Sequence, residues 1–310
     1  MSRRVVITGA TGFIGASIAS EFLHAGDSVI VLTRSNSNLS RLSNLRSDIS
    51  IVEYSSLEPI HFNFSSMAEG ADIFVHCAWS GVAGSDRNEA FQITTNIPTT
   101  MHSVELAAKL GCQQWIGLGS QAEYGNLNYK ISESCTNLPT TLYGKAKLAA
   151  GISAMGLCLA YQMSSSWMRV FSTYGPQDAP NWFIPYVIQE FLANRAPKLT
   201  GCEQLWDYLY VKDAGRAVVA AADKQVNGIF NLGSGNAIPL KTYIETVREI
   251  LGTSIIPKYG ALEYRSDQVM HLEADISKLT QTTGWKPSTS LIEGLTKTID
   301  FERSREIYNL

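Results

Sequence analysis

Short, β-branched apolar runs recur along the first half of the chain. Between them, apolar residues fall three and four apart. Val5–Ile7, Val29–Leu32, Ile49–Val52, Ile73–Cys77, Trp115–Leu118 and Trp167–Phe171 read as six buried strands. Ile14, Ile18, Phe22 and Leu23 keep helical spacing after the first. Leu39, Leu42 and Leu45 suggest a short helix between the second and third. Asn96–Leu110 follows the fourth strand as a helix, and Tyr143–Gln162 follows the fifth. Strands alternating with helices call for parallel strands joined by crossovers. Residues 1–176 are therefore expected to form a doubly wound parallel sheet.

Beyond Pro176 the pattern is less regular. Helices over Ile184–Asn194, Asp213–Asp223 and Leu240–Leu251 are mixed with short strands, which predicts a smaller mixed α/β lobe over 177–310, above the carboxyl edge of the sheet. Gly228–Leu232 again reads as a strand of the main sheet. The chain is thus expected to re-enter the first domain near 213–232.

Composition narrows the class. The 310 residues are 45% hydrophobic and mean hydropathy is −0.02, which suits a chain that buries a core. A net charge of −3 and a pI near 6.0 argue against a dedicated nucleic-acid binder. Cys77, Cys112, Cys135, Cys158 and Cys202 are odd in number and scattered, as expected of reduced thiols in a cytoplasmic protein, without a disulfide frame or metal site. No signal peptide is legible ahead of the strand at Val5. The apolar stretch Leu148–Met163 is interrupted by Ser and Gly and is shorter than the roughly 20 residues that span a bilayer. It reads as a core or dimer-interface helix, and no membrane association is expected.

Three segments carry chemistry. The first strand runs into Thr8-Gly-Ala-Thr-Gly12-Phe-Ile-Gly15, which opens a helix. Glycines there let a pyrophosphate approach the backbone and the N–H groups of the helix terminus. Ser120, in Gly119-Ser-Gln-Ala-Glu-Tyr-Gly125, ends a strand at the sheet edge where ligands bind. Tyr143 and Lys147 sit four apart, on one face of a helix. A phenol beside an ammonium is a proton-transfer device, because a fixed positive neighbour lowers the phenol pKa from about 10.

Together and in this order, these segments resemble the extended short-chain dehydrogenase/reductase family, within it the enzymes that remodel nucleotide-sugars. Arg169-Val-Phe-Ser-Thr-Tyr-Gly-Pro176 is similar to the family's Arg-x-x-Asn-x-Tyr-Gly-Pro, with Ser172 in the asparagine place. Trp206-Asp-Tyr-Leu-Tyr-Val-Lys-Asp213 is similar to its Arg-Asp-x-x-x-Val-x-Asp, with Trp206 in the arginine place. Arg265-Ser-Asp267 is similar to an Arg-x-x-Asp pattern near a nucleotide diphosphate, one residue shorter here.

The resemblance implies a Rossmann-type sheet and a homodimer seam of paired helices. It also implies catalysis by Ser120, Tyr143 and Lys147, with Lys147 holding the nicotinamide ribose and depressing the tyrosine pKa. Gly9, Thr11, Gly12, Phe13, Ile14 and Gly15 would hold the dinucleotide. Cys77, Ala78 and Trp79 would line its path, Asn96 would steady the active-site backbone, and Phe171 would lie near the nicotinamide. Ser120, Gln121, Ser172, Trp206 and Arg265 would meet the nucleotide-sugar.

Leu32-Thr-Arg-Ser35 lacks the acid that accepts from NAD ribose hydroxyls, so Arg34 and Ser35 favour NADP, with NAD as the alternative. The adenine-side acid after strand three has no clear counterpart in Glu53–Leu57. Dehydratases of the family carry an acid where this chain has Gln121 and Ala122, and Glu123, if extended, points the other way. Chemistry at one carbon is left. The sequence reading favours NADPH-dependent reduction of a nucleoside-diphosphate 4-keto-6-deoxyhexose. The alternatives are a 4-epimerase with retained NAD and a non-catalytic dinucleotide-sensing regulator.

Overall fold

The computed structural model describes residues 2–59, 61–62 and 70–308. In chain order the first half comprises β1 (Arg4–Thr8), α1 (Phe13–His24), β2 (Ser28–Thr33), β3 (Ile49–Glu53), β4 (Ile73–His76), α2 (Phe91–Thr94), α3 (Asn96–Lys109), β5 (Gln114–Ser120), β6 (Tyr129–Ile131), α4 (Leu142–Ala160) and β7 (Ser164–Val170). The second half comprises β8 (Ser172–Tyr174), α5 (Phe183–Leu192), β9 (Leu205–Trp206), β10 (Tyr208–Tyr210), α6 (Val211–Asp223), β11 (Gly228–Leu232), β12 (Ile238–Pro239), α7 (Leu240–Leu251), β13 (His271–Ala274), α8 (Ser277–Thr283) and α9 (Leu291–Tyr308).

Seven parallel strands form the main sheet in the order β11-β7-β5-β4-β1-β2-β3. Successive side chains on a strand point to opposite faces. Val5 and Ile7 accordingly join one core with Phe22 and Ala217, while Val6 joins the other with Phe74, Trp115 and Ala150. Both faces are covered, which is why these strands are apolar throughout and not alternating. The strand order reverses between β1 and β4, and such a switch point opens a crevice at the carboxyl ends.

The sequence segments differ from the observed elements mainly at their ends. The fifth strand lengthens to Gln114–Ser120 and carries Ser120 as its last residue; the fourth stops at His76. The helix expected around Leu42 is a single 3-10 segment, Ser40–Leu45. The strand Gly228–Leu232 pairs with β7 in register Phe230 to Met168.

The rest of the second half builds two small sheets, β10-β8 and, with β6 of the first half at its edge, β12-β9-β13-β6. Its own core gathers Tyr174, Ile188, Tyr243, Ile244, Leu295 and Ile299 from β8, α5, α7 and α9. Helix α4 lies close against β7 because Gly151 faces the Trp167 indole; a Cβ at Gly151 would stand 2.6 Å from that ring. The same close approach sets the depth of Lys147, one turn earlier.

Candidate active site

The site begins with the glycine loop after β1. Gly9 has φ of 71°, in the left-handed region that other residues avoid, and a Cβ there would stand 2.5 Å from the Ala78 amide nitrogen. A Cβ on Gly15 would run into the Gly9 carbonyl. Gly12 is the N-cap of α1 and lends no side-chain hydrogen bond, so the first-turn N–H groups face the crevice without a side-chain cap. Arg41 braces the loop from outside. Its guanidinium donates to the carbonyls of Thr11 (3.3 Å) and Gln177 (3.0 Å), joining the loop to the second half of the chain.

A cavity of about 400 Å³ opens over this loop. Gly9, Thr11, Gly12, Arg34, Cys77, Ala78, Trp79 and Asn96 line it. Thr33, Ser37, Tyr54, Ser55, Ser56, Ser80 and His102 line it too, and pattern reading did not single them out. Phe13, Ile14, Gly15, Ser35 and Phe171 are not part of this lining. Phe171 packs with Tyr124 and Ile131 instead. Tyr54 follows Glu53 at the end of β3; burial raises its pKa and Arg34 acts against that. The bare glycine cradle, the uncapped helix terminus and the crevice fit a dinucleotide.

Asn96 and Gln92 fasten the segment after β4. Asn96 exchanges two hydrogen bonds with the Ser80 backbone, at 3.1 and 2.9 Å. Gln92 donates to the Gly81 and Asp86 carbonyls and accepts from the Trp79 indole at 2.8 Å. Trp79 is thereby held edge-on to the Tyr143 ring, 6.1 Å between centroids.

Tyr143 and Lys147 project from the first two turns of α4. The Thr141 hydroxyl accepts from Gly144 N, and Asn88 Oδ1 accepts from Leu142 N, both at 3.1 Å. Burial raises the Tyr143 pKa; a hydrogen bond with Ser120 and the charge of Arg87 pull it down, and Glu123 pushes it up. The Lys147 ammonium donates to the Leu118 carbonyl at 2.7 Å and lies 3.8 Å from the Trp79 ring. Burial lowers its pKa to about 7, against the pull of Glu123 and Cys77.

Beside them, Ser120 Oγ accepts from Ala122 N at 3.1 Å, and Ser120 N donates to Glu123 Oε1 at 2.8 Å. Here the structure corrects the sequence reading. Gln121–Glu123 is a 3-10 turn, not an extended segment. Glu123 is fully buried and turned inward, where it also accepts from the Trp167 indole (2.9 Å) and the Arg169 guanidinium (2.7 Å). Partners supplied by β7, remote in sequence, draw the carboxylate into the core.

Of the expected substrate contacts, Ser172 and Trp206 meet each other, and Gln121 is partly buried in the turn after Ser120. Arg265 lies apart from them on the surface, its side chain 76% exposed and 3.6 Å from Asp267. Among the described residues no group of three or more His, Cys, Asp or Glu could hold a metal, and no helix is long and apolar enough to cross a membrane.

The sequence pattern of the NAD dependent epimerase/dehydratase family matches residues 5–233. UDP-glucuronate 4-epimerase of Thermodesulfobacterium geofontis is 25% identical over 315 residues, covering 96% of this chain and 95% of its own. Among solved structures, UDP-N-acetylglucosamine 4-epimerase of Methanobrevibacter ruminantium, in complex with UDP-N-acetylmuramic acid, has a TM-score of 0.88 at 24% identity, covering 98% of this chain and 99% of that one. MoeE5, in complex with UDP-glucose and NAD, has a TM-score of 0.80 at 25% identity, covering 98% and 99%.

Proposed function

The chain belongs to the NAD dependent epimerase/dehydratase family, and on that footing we propose that it is a nucleotide-sugar 4-epimerase that retains NAD. The observation that carries this reading is the turn after β5. Gln121 and Ala122 follow Ser120 and cannot transfer protons, while the nearest carboxylate, Glu123, is engaged by Ser120 N, Trp167 and Arg169. Removal of water needs an acid and a base beyond the tyrosine, and this turn supplies neither. Redox chemistry at one sugar carbon needs no acid or base beyond the tyrosine.

NAD would supply the acceptor and donor of a hydride at that carbon. Gly9, Gly12 and the first turn of α1 would hold its pyrophosphate, and Ala78 and Trp79 would flank the path to Tyr143. The Tyr143 oxygen would take the proton of the sugar hydroxyl and later return it, with Ser120 bonded to the same oxygen. A positioned acid–base group of this kind contributes about 10²–10⁴ in rate.

The expectation from sequence was reduction of a 4-keto sugar with NADPH; the relatives named as 4-epimerases, and the NAD held by MoeE5, favour the alternative. One observation keeps reduction as a second reading. Arg34 stands at the end of β2 and lines the cavity, where it suits a 2′-phosphate. A single experiment separates the two. One portion of the purified protein is denatured to assay released cofactor; a second, kept native, is incubated without and with added NADPH with UDP-glucose, UDP-glucuronate, UDP-N-acetylglucosamine and a set of nucleoside-diphosphate 4-keto-6-deoxyhexoses. Released NAD with C4 interconversion of a UDP-sugar, without added cofactor, is the expected result. Net consumption of NADPH by a keto-sugar would establish the reductase instead, and no reaction with any member would overturn both.

A further inference from the structure

We propose that Arg87 is a positioning residue for proton transfer: its guanidinium, stacked on the face of the Tyr143 ring, supplies a second, lasting positive charge that, beside Lys147, readies the phenol to ionise. The inference rests on the reading of Tyr143 as the proton carrier.

Geometry comes first. Arg87 Cζ lies 4.8 Å from the Tyr143 ring centroid, within the range of cation–π contact. The turn that carries it, Gly84–Asn88, is pinned on both sides. Gln92 holds the Asp86 carbonyl, and Asn88 holds the first amide of α4. Arginine and tyrosine are thus fixed to one another through the helix N-terminus, and the stack does not depend on a flexible loop.

The charge is also uncompensated. Arg3, Arg169 and Arg216 are each paired with a carboxylate. Arg87 has no ion-pair partner among the described residues, and its buried Nε has no hydrogen-bond partner. A guanidinium stays protonated at every working pH.

Lys147 lies farther from the same ring. Its ammonium is 6.0 Å from the Tyr143 ring centroid and is directed to the Leu118 carbonyl and the Trp79 ring. The other charged groups packed around this corner do not substitute. Glu123 opposes ionisation of the phenol and is held by Arg169 on β7, and the buried His76 stays neutral. Tyr143 is otherwise pushed up by burial. Its hydrogen bond with Ser120 and the Arg87 charge are what act against that.

The test reads Tyr143 directly. Tyrosinate absorbance is followed against pH in the full-length protein and in Tyr143→Phe, and the difference isolates one phenol. In Arg87→Met the Tyr143 midpoint is expected to rise by about one pH unit or more, and the pH profile of turnover should move the same way. Arg87→Lys keeps a charge and should hold the midpoint near that of the parent. Arg87→Gln serves as a second neutral variant if the methionine variant does not fold. A midpoint unmoved in a folded neutral variant, or raised equally by lysine, overturns the proposal. Full turnover by Tyr143→Phe would instead remove the proton-carrier reading, a failure distinguishable from an unmoved titration.

Discussion

The Trp206 indole N–H donates to Ser172 Oγ at 2.8 Å, so two of the positions at which the sequence departs from the motifs it resembles are partners in one contact. Tyr208 and Ser172 sit opposite each other in the β10–β8 pair, which brings Trp206, two residues earlier on β9, within reach of the serine. Ser172→Ala and Trp206→Phe each remove the same bond. In a double-mutant cycle on urea midpoints they are expected to couple by about 1 kcal/mol. Purely additive losses would mean that the bond contributes nothing.

Tyr143→Phe keeps the ring against Trp79 and removes only the hydroxyl. Dinucleotide binding should persist while turnover falls by about 10²–10⁴. Equilibrium binding and a single-turnover assay on one preparation check both halves. A variant with more than about a tenth of the parent rate places the acid elsewhere.

Arg34 lines the cavity at the end of β2. A charge-assisted contact to a phosphate is worth about 1.5–3 kcal/mol. Arg34→Ala should therefore weaken NADPH binding about tenfold or more and leave NADH binding nearly unchanged. Equal losses in paired titrations would show that the arginine does not read the cofactor.

Asp178 predicts a pH dependence of stability. Burial pushes its carboxyl up to about 7, against the Ala179 amide and the charge of Arg41. A group whose folded pKa is raised favours the folded state below its unfolded value, near 4. That contribution is lost as pH climbs through 7. Asp178→Asn keeps the acceptor for the Ala179 amide and cannot ionise. Its advantage in urea midpoint over the parent should be small at pH 4 and grow to the order of a few kcal/mol by pH 8. A difference that does not change with pH would contradict the assignment.

Ile152 and Leu159 stand 61% and 78% exposed, two turns apart on one side of α4. The homodimer seam expected from the family resemblance would cover both. Sedimentation of the parent at micromolar concentration is expected to give a dimer, and Ile152→Glu with Leu159→Glu a folded monomer whose melting temperature no longer depends on protein concentration. A monomeric parent refutes the expectation.

The sequence by itself determined the parts whose signal is local. Apolar runs between turn residues located the strands of the main sheet, since a strand buried on both faces must be apolar along its length. The loop Gly9–Gly15 was legible because its glycines answer a close backbone approach just after a strand, and Tyr143 with Lys147 because a helix puts residues four apart on one face. Tertiary structure decided the rest. Glu123 turns inward because Trp167 and Arg169 offer it buried partners from β7, so propensity in its own segment could not indicate its direction. Arg87 reaches the Tyr143 ring only because the turn after β4 docks on the N-terminus of α4. Trp206 on β9 and Ser172 on β8 belong to different small sheets and meet only because Tyr208, two residues beyond Trp206, pairs with Ser172. Hydrogen bonds and charges act over a few ångströms, and residues far apart in the chain come within that range only once the fold has closed.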